Sequence, residues 1–139
     1  MYTEKLRVAF DSTTPVSLAS NAVIKKYAFF RPAIIRRVGV GITTTCNSTG
    51  VVVVAVKKYP TMGSNASAVT LATLNIPATS AAGKVIYIPL ASAQKLIEGD
   101  ELVFEVTTAA TTAGVGVCMF DADDNPEMPA NNSDMVLSA

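Results

Sequence analysis

The segment Leu96-Ile97-Glu98-Gly99-Asp100-Glu101-Leu102-Val103-Phe104-Glu105-Val106-Thr107 constrains the fold more than any other. From Glu101 onward it alternates, with Leu102, Phe104 and Val106 on one side and Glu101, Glu105 and Thr107 on the other. A period of two marks a strand with one buried face. Glu98-Gly99-Asp100 ahead of it supplies a turn, since glycine accepts a positive φ and aspartate bonds its own backbone. A turn feeding an apolar-in, charged-out strand is a common unit of antiparallel sandwiches and jelly rolls. The expectation is an all-β domain anchored on this strand.

The same reading predicts further strands over residues 4–10, 23–30, 33–46, 51–56, 69–76, 84–90 and 115–120. In 33–46, Val38, Val40, Ile42 and Thr44 share one face, and Arg37, Gly39, Gly41 and Thr43 the other. The two glycines leave a flat backbone that another chain or a loop can approach closely. Asn47-Ser48-Thr49-Gly50 reads as a tight hairpin turn. Residues 51–56 are apolar on both faces, as in a central strand or one covered by a partner. Ser92 is expected to cap a single helical turn over 92–97. The sum is a single β-sandwich, jelly-roll-like, of about eight antiparallel strands. It occupies residues 1–120. Residues 121–139 are polar, interrupted by Pro126 and Pro129, and end apolar at Met135-Val136-Leu137; they read as an extended acidic C-terminal arm.

A chain of 139 residues fits one domain with one core. Half of its residues are hydrophobic and Trp is absent, so Val, Ile, Leu and Ala build that core. Too few polar side chains remain to cover the surface, which predicts burial against other chains and a homo-oligomer, dimer or trimer. No run approaches the roughly 18 to 20 apolar residues of a membrane-spanning helix. Residues 1–7 lack the basic-then-apolar pattern of a secretory signal, so synthesis in the cytoplasm and no membrane association are expected. Cys46 and Cys118 are then expected as free, buried thiols rather than a disulfide.

Eleven bases and eleven acids cancel, yet they are sorted along the chain. Between Ser12 and Ile97 stand Lys25, Lys26, Arg31, Arg36, Arg37, Lys57, Lys58, Lys84 and Lys95, with no acid. From Glu98 onward stand Glu98, Asp100, Glu101, Glu105, Asp121, Asp123, Asp124, Glu127 and Asp134, with no base. Two readings fit: the acidic end folds back onto its own basic body, or an acidic tail meets the basic face of a neighbouring subunit and sets its register. On the second, the contact residues are Arg36, Arg37, Lys57, Lys58, Asp121, Asp123, Asp124 and Glu127, with Met135, Val136 and Leu137 at the end of the arm.

The chain contains no histidine. The commonest general base, the Ser-His and Cys-His pairs and the usual zinc ligand are thereby missing. No glycine-rich phosphate loop occurs, since Gly39-Val40-Gly41 lies within a strand. Glu98, Asp100 and Glu101 sit at a turn, where solvated carboxylates outweigh a glycosidase pair. Asp121-Ala122-Asp123-Asp124-Asn125 begins like a calcium loop. Pro126 stands where the sixth-position glycine belongs, and Asn132 where the closing glutamate does. Basic doublets spread over three strands and balanced by nine acids do not make a nucleic-acid surface. The chain is expected to be no enzyme and to hold no cofactor and no metal.

Four stretches resemble the capsid decoration, or cement, proteins of tailed bacteriophages. They are Ile35-Arg36-Arg37-Val38-Gly39-Val40, Ala82-Gly83-Lys84-Val85-Ile86-Tyr87, the segment from Glu98 to Thr107, and Pro129-Ala130-Asn131-Asn132-Ser133-Asp134-Met135. The resemblance implies a β-sandwich on the outside of the virion, clamping neighbouring major capsid protein subunits, with no catalytic residues carried over. The alternative is a carbohydrate- or receptor-binding sandwich of a phage fibre or tail spike. Against it, Trp is absent and only Tyr2, Tyr27, Tyr59 and Tyr87 could offer a sugar platform. A hydrolase on a jelly-roll scaffold is the more distant third.

Overall fold

A computed structural model of the chain describes residues 7–11, 15–29, 32–60 and 68–124. Within them every regular element is a strand: β1 (Arg7–Asp11), β2 (Val16–Ser17), β3 (Val23–Ala28), β4 (Ala33–Asn47), β5 (Val52–Tyr59), β6 (Val69–Ile76), β7 (Val85–Leu96), β8 (Glu101–Thr108) and β9 (Ala113–Asp124). They form two antiparallel sheets. One has the order β1-β9-β4-β7, with the short β2 also paired to β9; the other has the order β3-β8-β5-β6. Among the described strands only β5 and β6 follow each other within a sheet as neighbours. From β2 onward every other connection crosses from one sheet to the other. With β1 and β2 counted as one interrupted strand, this is the eight-stranded jelly roll.

The core lies between the sheets and is aliphatic. Ile35, Val38, Val40 and Ile42 of β4 face Val52, Val54 and Val56 of β5, Leu74 and Ile76 of β6, and Leu102, Phe104 and Val106 of β8. Tyr27 links the two layers. From β3 its ring meets Phe104 edge-on at 6.1 Å and Phe120 of β9 at 4.8 Å. Its hydroxyl donates to the Cys118 carbonyl at 3.0 Å. Leu18 seals the crossing after β2. It is fully buried, its N–H donates to Gly114 O, and its carbonyl accepts from Ala110 N–H.

Four expectations are corrected. The helical turn at 92–97 is absent, because Gln94, Lys95 and Leu96 of β7 pair in register with Ile35, Ile34 and Ala33. Asn47-Ser48-Thr49-Gly50 is no hairpin, since β4 and β5 lie in different sheets. The last strand runs past Phe120: Asp121, Ala122, Asp123 and Asp124 pair with β4, and the first three of them also with β1. Finally, Glu101 and Val103, on the outward side of the anchor strand, are buried. β8 is a central strand, and Val103 stands in register between Lys26 of β3 and Lys57 of β5.

Candidate functional site

The segregated charges meet inside the chain. Arg37 projects from β4 directly opposite Asp121 of β9, and its Nε donates to Asp121 Oδ2 at 2.7 Å. The same guanidinium lies over the Tyr87 ring of β7, 5.4 Å from its centroid. Lys57 of β5 donates to Glu105 Oε1 of β8 at 2.8 Å. That hydrogen bond holds the Lys57 ammonium above the ordinary lysine pKa. Lys58 donates to the Lys95 carbonyl at 3.1 Å and stands 3.8 Å from Asp100 Oδ2. Asp100 is itself buried, accepting from Ile97 N–H at 2.9 Å in the turn that Gly99 completes at φ 91°. Each of these three pairs joins a base that precedes Glu98 to an acid that follows it. The jelly roll makes this possible by laying β9 against β4 and β8 against β5.

The expected contact residues therefore separate into groups. Arg37 and Asp121 form one pair, while Lys57 and Lys58 lie on the other sheet. Arg36 falls at the register shift between Ile35 and Arg37 and is half-buried. Asp123 and Asp124 belong to the β9 ladder, opposite Ile34 and Ala33. The backbone there is extended strand and not the turn of a calcium loop. Glu127, Met135, Val136 and Leu137 lie outside the described residues.

The outer face of the β1-β9-β4-β7 sheet differs from the flat glycine patch expected of it. Gly39 and Gly41 are covered by side chains from both flanking strands. A Cβ on Gly39 would lie 2.9 Å from Tyr87 Cβ, and one on Gly41 would lie 3.1 Å from Met119 Cε. The glycines thus form a trough that lets β7 and β9 side chains lean inward. On this face stand Val115, Val117 and Met119 of β9, half-buried, beside Val85 and Tyr87 of β7, 51% and 55% exposed. The strip is closed at one end by the Arg37–Asp121 pair. At the other, Thr43 Oγ1 donates to the Val115 carbonyl at 3.2 Å. It is an apolar strip bordered by an ion pair. The periodicity of 84–90 did not single it out, because both faces of that strand are apolar.

Both cysteines are free and buried, as expected. Cys118 pairs in register with Val40, so Cys46 lies six positions further along β4, about 20 Å away at strand rise. Burial pushes the Cys118 thiol up to about 12 and raises Cys46 as well, which disfavours a nucleophilic thiolate. Ser48, Thr49 and Thr111 gather their hydroxyls at one end of the sandwich, Thr49 Oγ1 being 3.0 Å from Thr111 Oγ1. Ser48 Oγ is engaged with the Gly50 carbonyl at 2.8 Å, a turn-closing role. Among the described residues no group of three metal-ligating side chains converges, and no helix is long and apolar enough to cross a membrane. No protein-family model, curated protein or solved structure matches the chain significantly.

Proposed function

We propose that this chain is a non-enzymatic structural protein of a bacteriophage virion. In this reading it binds the outer surface of the capsid as a homo-oligomer and cements neighbouring major capsid protein subunits. The observation that carries the reading is the apolar strip on the outer face of a jelly-roll sheet, with exposed Val85 and Tyr87 beside half-buried Val117 and Met119 and an ion pair at its border. The sequence resemblance supplies the partner. A cement protein works by mass action, binding the assembled shell in preference to its separated subunits and so stabilising the assembly. Many modest contacts repeated over a shell resist disruption together. Three of the bases are matched to acids of the same chain, which reduces the positive surface offered to nucleic acid.

The test is co-sedimentation of the purified protein with intact shells. The protein is expected to pellet with shells, and Tyr87→Glu to lose occupancy while keeping the fold. A protein that stays in the supernatant with every shell preparation overturns the reading. The contribution of residues 125–139 is read from a chain ending at Asp124, since a cut before Asp121 would remove ladder pairs of β9. One observation favours the sugar-binding alternative: Tyr87 offers an exposed aromatic ring. Glycan-array binding without shell affinity would select it.

A further inference from the structure

Four strands stand at the edges of the two sheets, β1 and β7 in one, β3 and β6 in the other. An edge strand presents unpaired N–H and C=O groups, and proteins commonly defend it with charge, proline, a bulge or brevity. β1 is five residues long, too short to offer many rungs. β3 holds Lys25 and Lys26, with a register shift between Val23 and Lys25. β7 holds Lys95, and Pro89 near its middle. β6, Val-Thr-Leu-Ala-Thr-Leu-Asn-Ile, carries neither charge nor proline. It lies within a run from Tyr59 to Gly83 that has no charged side chain. Its ladder to β5 is regular from Ala72 to Ile76. Among the described residues no strand pairs with the side of β6 that faces away from β5.

We propose that β6 is the self-association edge of this protein. Two copies join β6 to β6, antiparallel about a two-fold axis, and their four-stranded sheets become one eight-stranded sheet. Charge argues for a second copy as the occupant. A two-fold interface sets a strand against itself, so the lysines of β3 would meet lysines, and like charges directly opposite are destabilising. β6 brings no charge to the joint. Directly opposed residues of an antiparallel pair share a face. The exposed Thr73 and Asn75 therefore meet uncharged, outward-facing residues, while Leu74 and Ile76 stay in the core of each copy. Backbone hydrogen bonds supply the attraction, as in strand addition generally. The inference concerns only how copies meet and does not rest on the capsid reading.

The test measures the mass of the full chain by sedimentation across a concentration series, with no shells present. The expected result is a concentration-dependent dimer. Thr73→Lys puts a cation near the middle of β6 in each copy and is expected to raise the midpoint of dimerisation at least about tenfold. Its circular dichroism and melting should be unchanged, and Asn75→Lys repeats the test should the first variant fold poorly. Thr107→Lys, exposed on the central strand β8, is expected to leave the midpoint where it was. A chain that stays monomeric at every concentration overturns the proposal. So does a folded Thr73→Lys protein that dimerises like the parent.

Discussion

Arg37 and Asp121 are 84 positions apart, yet Arg37 Nε donates to Asp121 Oδ2 at 2.7 Å across neighbouring strands. The pair explains why bases crowd the first part of the sequence and acids the last: the topology brings those parts together. Arg37 is half exposed, and an exposed ion pair contributes about 0.2–1 kcal/mol. Asp121→Asn is accordingly expected to lower the urea midpoint slightly with an unchanged slope. A loss several times larger would mean that the pair fixes the β4–β9 register rather than decorating it.

The trough glycines respond unequally to a methyl group. At Gly39 a Cβ would lie 2.8 Å from the Ile86 carbonyl oxygen, a backbone atom with little freedom to retreat. Gly39→Ala should cost about 1–3 kcal/mol. At Gly41 the nearest atom, 3.1 Å away, is the flexible end of Met119. Gly41→Ala should stay within about 1 kcal/mol, since reduced unfolded-state entropy offsets a small rearrangement. Thermal melting of the two variants decides it, and equal losses would refute the distinction.

Tyr27→Phe keeps the ring contacts with Phe104 and Phe120 but removes the donor to the Cys118 carbonyl. A destabilisation of about 1 kcal/mol is expected. Phe104→Ala, which empties a fully buried site, should cost about 3–5 kcal/mol. Chemical unfolding measures both, and the larger loss should belong to Phe104.

Stability should decline at alkaline pH. Folding raises the pKa of Lys57 through its hydrogen bond to Glu105 and that of Cys118 through burial. Each group thus holds its proton in the folded chain at pH values where the unfolded chain has released it. Their contributions are complete below the unfolded pKa values, about 10.4 for lysine and 8.5 for cysteine. They fade as pH rises towards the folded ones. Glu105→Gln should flatten the lysine part of the decline and Cys118→Ser the cysteine part. A pH profile that neither variant alters would count against this account.

The raised thiols have a second consequence. Cys46 and Cys118 are buried and free, so alkylation at pH 8 should proceed only through unfolding or local opening. Mass spectrometry should find both sites unmodified in the native protein and both modified in denaturant. Rapid native labelling of Cys118 would contradict its position opposite Val40 in the core.

Fold class was legible because period-two patterning depends on local burial alone: β3, β4, β6 and β8 appear close to where alternation puts them. Three features were illegible for non-local reasons. Residues 92–97 carry helix-compatible side chains, and pairing with Ala33, Ile34 and Ile35 decides them as strand. Asn47-Ser48-Thr49-Gly50 has hairpin composition, but composition does not say which sheet the next strand joins. The candidate surface was half visible. Gly39 and Gly41 signalled close approach, while the approaching side chains, Tyr87 and Met119, come from strands far away in sequence.

β9 stands between β1 and β4, with β2 beside it, so an interior position of its sheet is filled by a strand that leaves the ribosome after all the other described strands. Until the ribosome has delivered Asp124, β4 has only β7 beside it in that sheet, and β1 and β2 have no partner there. Closure over such sequence separations is slow relative to local contacts. Nascent chains of this protein must therefore wait with an incomplete sheet, exposed to mispairing, until β9 has emerged and paired.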